Sequence, residues 1–235
     1  MEEMTPTPGA AVNPVDHLVV MALSLDEGVA WCEASLGITP GDGGEHAFMG
    51  THNRLFKIAS PEFRRTYFEI IAINPVANNS DRTCRNRWFD MDSEVLQTVV
   101  ERTGPQLIHW VASVPRLTNA LASLRALGID RGESVRASRP TPNGLLSWQI
   151  SLREDGQRLF DGCLPTLIEW GKVHPCDTMT DSGVTLKSIQ LAHPQASSLE
   201  TALRATGLAM PVQTGTACLA VELETPKGLI RLSTP

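Results

Sequence analysis

Two histidines and two glutamates have the residue types and the spacing of a metal centre. His17 and His109 each stand near the start of an apolar, β-prone run, and Glu69 and Glu169 each lie inside a later one, in YFEII and LIEWG. An ionised carboxylate among apolar side chains is costly unless a positive partner meets it. Imidazole and carboxylate groups are ligands of divalent metals. We therefore predict that these four residues bind Zn, Ni, Mn or Fe.

Exposure to water is the alternative for each glutamate. Side chains along a strand alternate between two faces, so a glutamate between apolar neighbours can point outward. The recurrence of the pair favours a shared site, since Glu69 follows His17 by 52 residues and Glu169 follows His109 by 60.

A repeated unit positions these pairs. It passes from an apolar run to a helical pattern and then to a glycine, a residue typical of the position after a helix. Ser24 and Glu27 form a capping-box pattern at the start of the first helix. The unit occurs three times, over residues 17–38, 109–129 and 188–208. In the third copy Ser188 takes the place of the histidine, so that copy has no such pair.

Strand-like runs follow each helical pattern, among them one near residues 45–50. The order of elements predicts an α+β fold of paired βαβββ modules with a truncated third βαββ unit at the C-terminus. We expect the two full modules to enclose a cleft. The predicted divisions are a flexible tail (1–13), a first module (14–75), a connecting segment (76–107), a second module (108–172) and the third unit (184–235).

Five further residues are candidates for substrate chemistry. His52, in the stretch GTHN, is a candidate catalytic residue, and its neighbour Asn53 a candidate substrate contact. Arg139 and Asn143 can meet an acidic substrate, and Trp148 can line an aromatic wall. Solvation of the polar residues and core packing of the tryptophan are the alternatives. The remaining histidines have no repeat partner and stand outside the predicted site: His46, His174 and His193.

Composition excludes several classes of protein. The 235 residues carry a net charge of −6, which argues against a nucleic-acid surface. No run approaches the length of a membrane span, and the first residues lack the pattern of a signal peptide. Five cysteines without a CxxC pair indicate free thiols in a reducing compartment. We therefore expect a cytoplasmic protein.

Several stretches resemble the glyoxalase-like domain family, within the vicinal oxygen chelate (glyoxalase/bleomycin resistance/dioxygenase) superfamily. The resemblance implies a divalent metal in a U-shaped cleft between modules, where it chelates neighbouring oxygens of a small-molecule substrate. Pairing of modules across a homodimer also occurs in the superfamily and is compatible with this chain. The stretches are VDHLVV (15–20), SLGI (35–38), GTHN (50–53), YFEIIA (67–72), RPTPNGLLSW (139–148) and LPTLIEW (164–170).

The resemblance and the four candidate ligands together predict a lyase or isomerase of the glyoxalase type. A metal that polarises a substrate oxygen lowers the pKa of the adjacent C–H group, and Glu169 or Glu69 would then act as the base. Three ligands alone would leave a two-histidine, one-carboxylate set suited to iron and O₂. A small-molecule-binding protein of the resistance type, without a catalytic metal, is the alternative from another class.

Overall fold

The structure is a computed structural model that describes residues 14–77, 86–141 and 144–235. The predicted tail, residues 1–13, lies outside the described residues. The first repeat unit contains strand β1 (Val15–Met21), helix α1 (Leu25–Ser35), β2 (Gly41–His46), β3 (Thr51–Lys57) and β4 (Tyr67–Ile73).

The rest of the chain repeats this order. Helix α2 (Glu94–Thr103) precedes the second unit, and the C-terminal unit begins at β9. The second unit contains β5 (Gln106–Ser113), α3 (Leu117–Ala126), β6 (Glu133–Thr141), β7 (Gly144–Leu152) and β8 (Thr166–Trp170). The C-terminal unit contains β9 (Thr185–His193), α4 (Ala196–Ala205), β10 (Val212–Thr214), β11 (Cys218–Thr225) and β12 (Gly228–Ser233).

One continuous sheet joins the two full modules. Its order is β2-β3-β4-β1-β5-β8-β7-β6. Within each module the first strand runs parallel to the last, and β1 pairs antiparallel with β5 at the junction. The predicted fold class is confirmed, and both halves of the cleft come from a single chain.

The C-terminal unit forms a second sheet of its own, in the order β10-β9-β11-β12. It has one strand more than predicted, because β10 is only three residues long and gives no periodic signal. Strand β9 lies between β10, with which it pairs in parallel, and β11, with which it pairs antiparallel. It does not pair with the last strand of its unit, β12. This pairing differs from that of the two full modules.

Apolar side chains fill both faces of the large sheet. On one face they pack with α1, α3, α4 and the second sheet in the main core, which includes Leu18, Trp110, Leu121 and Leu199. On the other, concave face a smaller core includes Val19, Ile71, Ile150 and Ile168. Both modules are therefore packed on the same main core, and the side chains of the candidate site lie between them on the concave face.

Local sequence signals agree with most element boundaries. The Ser24 side chain accepts a hydrogen bond from the Glu27 backbone N–H at the start of α1. The glycines after the three repeated helices, at positions 37, 128 and 207, have φ values of 79°, 75° and 86°. The strand predicted near residues 45–50 instead covers Gly41–His46. This edge strand, GDGGEH, has no apolar alternation by which its position could be recognised.

None of the helices in the described part of the chain is both long and apolar enough to cross a membrane. The cysteines in that part, Cys32, Cys163, Cys176 and Cys218, are free thiols.

Truncation of Leu121 tests how α3 packs on the sheet. Leu121 is 3% exposed in the main core, so Leu121→Ala should lower the free energy of unfolding by about 2–5 kcal/mol. The control is Leu127→Ala, at a position that is 45% exposed, where we expect a change within about 0.5 kcal/mol. Urea unfolding measures both values, and equal losses would contradict this packing.

Candidate functional site

His17 and Glu69 meet on the concave face of the sheet. They lie on the adjacent parallel strands β1 and β4, where His17 is paired with Tyr67, two residues before Glu69. His17 Nε2 lies 3.6 Å from Glu69 Oε2, and both side chains are buried. The His17 ring also stacks on Tyr67, with 4.5 Å between ring centroids. The 3.6 Å between His17 Nε2 and Glu69 Oε2 is longer than a hydrogen bond. Both atoms therefore remain able to form hydrogen bonds with a molecule in the cleft.

Asp16 fixes the orientation of His17. His17 Nδ1 donates a hydrogen bond to Asp16 Oδ1 at 2.7 Å, while Trp170 Nε1 at 2.7 Å and His174 Nε2 at 3.1 Å donate to Asp16 Oδ2. Burial raises the pKa of the Asp16 carboxyl, but hydrogen bonds and charge interactions with His17 and His174 outweigh burial and hold the pKa below its usual range. An ionised Asp16 keeps a proton on His17 Nδ1 and leaves Nε2 facing Glu69.

Asn53 holds the other oxygen of the Glu69 carboxylate. Asn53 Nδ2 donates to Glu69 Oε1 at 2.6 Å and lies 3.5 Å from His46 Nε2. Asn53 Oδ1 accepts the backbone N–H of Gly44 at 2.7 Å. Burial lowers the pKa of His46 to about 4, and the positive charge of Arg139 adds to this effect while Glu69 opposes it. His46 is therefore neutral, and the group that donates to Glu69 Oε1 is the Asn53 amide rather than a charged histidine.

These groups line a cavity between the two modules. The cavity has about 40 Å³ of space for water-sized molecules, enough for about three waters. Arg139 reaches into it from β6, at the opposite edge of the sheet from β2, and a Cβ at Gly44 would collide with the Arg139 guanidinium. Its walls are His17, His46, Asn53, Leu55, Tyr67, Glu69, Trp88, Phe89, Arg139, Leu146, Trp148, Ile150, Ile168, Trp170 and Pro175.

The second histidine of the predicted metal centre is occupied elsewhere. His109 is completely buried, its Nδ1 lies 3.1 Å from the Gly162 carbonyl, and its Nε2 accepts the Thr166 backbone N–H at 3.1 Å. Burial, reinforced by the positive charges of Arg131 and Arg158, holds the pKa of His109 well below its usual range. Both ring nitrogens are therefore engaged with the backbone, and no lone pair is directed at the cavity.

Thr166 is the structural counterpart of Glu69 in the second module. The β1 residue paired with Glu69 lies two positions after His17. In the second module, Thr166 is paired with Val111, two positions after His109. Thr166 Oγ1 lies 3.0 Å from His109 Nε2, as Glu69 lies beside His17. The repeat of the histidine is thus real, but its partner in the second module is a threonine.

Glu169 faces the opposite side of the sheet from the cavity. It lies three residues beyond Thr166, and an odd offset along a strand reverses the direction of the side chain. Its Oε2 accepts the Leu117 backbone N–H, the first of α3, at 2.7 Å. The residue before this helix, Arg116, provides no side-chain cap. Glu169 takes over that role, in the position where a helix favours a negative charge.

The four predicted substrate contacts and the candidate catalytic residue His52 divide into three groups. Asn53, Arg139 and Trp148 line the cavity with His17 and Glu69. His52 alternates with Asn53 on β3 and therefore lies on the other face of the sheet. Asn143 lies outside the described residues.

Several cavity residues were missed by the sequence analysis. His46 and His174 were set aside because they have no repeat partner, yet one lines the cavity and the other binds Asp16. Asp16 itself directly precedes His17 in VDHLVV, and an acidic neighbour of a functional histidine was an available signal. Nothing in the sequence placed Trp88, from the connecting segment, at the cavity.

The comparisons with known proteins assign the family. A sequence model of the glyoxalase-like domain family matches residues 15–207, most of the chain. The chain belongs to the glyoxalase-like domain family. The resemblance identified from the sequence is confirmed. Among curated protein sequences, none matches this chain significantly.

Solved structures similar to this glyoxalase-like protein include a hypothetical protein from Staphylococcus aureus. That structure covers 94% of this chain and 87% of its own, with a TM-score of 0.56 and 14% identity, which establishes a shared fold. A variant methylmalonyl-CoA epimerase from Streptomyces coelicolor, in complex with 2-nitronate-propionyl-CoA, covers 70% and 99%, with a TM-score of 0.42 and 12% identity. The Mycobacterium tuberculosis methylmalonyl-CoA epimerase covers 73% and 96%, with a TM-score of 0.38 and 14% identity. The likenesses to the two epimerases are too weak to bear on activity.

The donors of this glyoxalase-like protein do not fit the four-ligand metal centre expected for the superfamily. His109 and Glu169 are engaged elsewhere, and the described residues contain no group of three or more His, Cys, Asp or Glu side chains placed to hold a metal ion. Of the four predicted ligands, only His17 and Glu69 face the same cavity. Zinc sites in proteins use three or four side-chain ligands, more than converge within the described part of the chain.

Glu169→Ala should destabilise the protein without affecting its cavity. Loss of the cap on α3 should cost about 0.5–2 kcal/mol, measured by thermal or urea unfolding. Glu169→Gln retains an oxygen acceptor and should recover most of that loss. Unchanged stability of the alanine variant would contradict the capping role.

Metal binding can be measured directly on the purified protein. Dialysis against Zn²⁺, Ni²⁺, Mn²⁺ or Fe²⁺, followed by metal analysis, should give much less than one ion per chain, because fewer than three ligands converge. The small residual amount should be the same in His17→Ala and Glu69→Ala. One tightly bound ion per chain, lost in both variants, would overturn this expectation and restore the metal centre.

Proposed function

We propose that this glyoxalase-like protein is an isomerase that moves protons between two neighbouring oxygenated carbons of a small molecule. The observation that carries the proposal is the buried Glu69 carboxylate beside His17 Nε2, with Asp16 behind the histidine. A carboxylate and an oriented imidazole facing one cavity supply the two proton-transfer groups that such a reaction requires.

Glu69 is the proposed base for the carbon-bound proton. Its Oε1 is held by Asn53, while Oε2 points toward His17 at a distance too long for a hydrogen bond. Oε2 removes the proton from a hydroxyl-bearing carbon next to a carbonyl, and the C–H electron pair moves to the carbonyl oxygen. The same carboxyl group returns the proton to the former carbonyl carbon. Fixing one oxygen keeps the other in a single position through both transfers.

His17 is proposed to move the oxygen-bound proton. Neutral His17 Nε2 takes the hydroxyl proton and becomes an imidazolium, which the ionised Asp16 stabilises through Nδ1–H. It then gives the proton to the oxygen that was the carbonyl. The hydroxyl and carbonyl groups exchange places, and no atoms or electrons are gained or lost. Tyr67, stacked on this imidazole, remains protonated because burial, with the charges of Asp16 and Glu69, raises its pKa well above the usual value.

A binding protein of the resistance type is the second candidate. The aromatic walls of the cavity favour it, because Tyr67, Trp88, Phe89, Trp148 and Trp170 all line the cavity. Aromatic and apolar walls are typical of small-molecule pockets in general. This candidate assigns no proton transfer to Glu69, so the two functions differ in the consequence of replacing that residue.

Replacement of Glu69 tests the proposal. Small hydroxy-aldehydes, hydroxy-ketones and hydroxy-oxo acids are incubated with the protein in D₂O, and nuclear magnetic resonance follows loss of the carbon-bound proton and formation of the isomer. Glu69→Gln keeps the acceptor for Asn53 but cannot take a proton, and should slow the reaction about 10²–10⁴-fold at unchanged stability.

The matched control is Glu169→Gln, on the other face of the sheet, which should retain wild-type activity. Equal rates in wild-type protein and Glu69→Gln would contradict the assignment of the base. Binding of these compounds without any proton exchange would favour the binding protein.

A further inference from the structure

Trp88 lines the cavity and carries an unsatisfied hydrogen-bond donor. It belongs to the segment that connects the two modules, its side chain is 5% exposed, and it lines the cavity with its neighbour Phe89. Its Nε1–H has no acceptor among the residues that the structure describes. A buried donor without a partner costs free energy, and such groups in native proteins call for an explanation, of which a ligand is one.

The backbone directly after Trp88 adopts an unfavourable conformation that other contacts stabilise. The next two residues, Phe89 and Asp90, both have φ values of 59°, a conformation that non-glycine residues rarely adopt. Arg158 Nε donates to Asp90 Oδ2 at 2.8 Å, and the Asp90 N–H donates to the Gly156 carbonyl at 3.0 Å. The second module therefore holds this turn in place. Strain kept in this way is found preferentially at functional sites.

Arg139 supplies a positive charge to the same cavity. Within the described parts of the chain, no carboxylate forms an ion pair with it. Trp88 and Arg139 both lie near His46: the Trp88 and His46 ring centroids are 4.9 Å apart, and the charge of Arg139 acts on the imidazole. Since His46 is neutral, the positive charge in this part of the cavity comes from the guanidinium. A cation and a neutral N–H donor on residues that line one cavity suit a ligand with a single negative charge.

We infer that Trp88 Nε1–H and the Arg139 guanidinium hold a carboxylate group of the substrate, so that the protein acts on a small carboxylic acid. The inference rests on the proposed function, because the same cavity contains Glu69 and His17. Its space, enough for about three waters, suits an acid of a few carbons. One unpaired guanidinium matches a carboxylate rather than a phosphate dianion. A carboxylic acid with adjacent hydroxyl and carbonyl groups would match both the Trp88–Arg139 pair and the Glu69–His17 pair.

Two buried tryptophans provide a matched comparison for the test. Trp88→Phe removes an unsatisfied donor, so it should weaken binding of acids about tenfold without lowering the melting temperature. Trp110→Phe removes the donor to the Cys163 carbonyl, a 3.0 Å bond in the main core. It should lower the melting temperature and leave binding unchanged. Calorimetric titration with lactate, pyruvate and hydroxypyruvate, compared with lactamide and pyruvamide, measures the affinities.

Wild-type protein should bind the acids and not the amides, and Arg139→Met should abolish the difference. The inference is overturned if acids and amides bind equally, if nothing in the panel binds, or if Trp88→Phe binds the acids as tightly as Trp110→Phe. Glu69→Gln separates it from the proposed function. Acids that bind this variant and the wild type alike, but undergo no exchange in the wild type, would refute the isomerase and leave the carboxylate site standing. Proton exchange with uncharged hydroxy-ketones, but not with the acids, would refute the carboxylate site and support the isomerase.

Discussion

Asp16 accepts N–H groups from three parts of the chain, and the geometry of the cavity depends on this arrangement. One donor is its neighbour His17 on β1, another is Trp170 at the end of β8, and the third is His174 in the stretch that leads to the C-terminal unit. A buried carboxylate is tolerated only when its oxygens are satisfied in this way. The same bonds hold the second module against the first and leave His17 Nε2 directed at Glu69.

The two modules share a backbone plan but use their histidines differently. In the first module the partner of His17 is a carboxylate, and both face the cavity. In the second module the partner of His109 is Thr166. Both residues are buried, and the Thr166 backbone N–H donates to His109 Nε2. One histidine thus lines the cavity, while the other fixes the loop before β8. Within the described residues, the asymmetry leaves one of the two repeated histidines beside a glutamate in the cleft formed by both halves.

Closure of the cavity depends on contacts between parts that are distant in sequence. Arg139 extends from β6 to Gly44 on β2, and the absence of a side chain at Gly44 makes room for the guanidinium. Trp88 and Phe89 enter from the connecting segment, held by the bond between Arg158 and Asp90. Glu169, by contrast, stabilises the helix that supports the second half of the sheet. Glu69 and Glu169, which lie in similar sequence contexts, therefore have different structural roles: one lines the cavity and the other caps α3.

The sequence by itself determined the elements and their order. Apolar periodicity, the Ser24 cap and the repeated glycines are local signals, so the paired modules followed from them. The family followed from the resemblance of several stretches to known members, and His17 with Glu69 were found through the repeat. The edge strand β2 lacked such a signal. Which side of the sheet a glutamate faces was decided only by tertiary structure, because a three-residue offset on β8 leaves the sequence pattern intact while it reverses the side chain of Glu169. The same holds for His46, His174 and Trp88, whose roles arise from contacts across the fold that no spacing along the chain encodes.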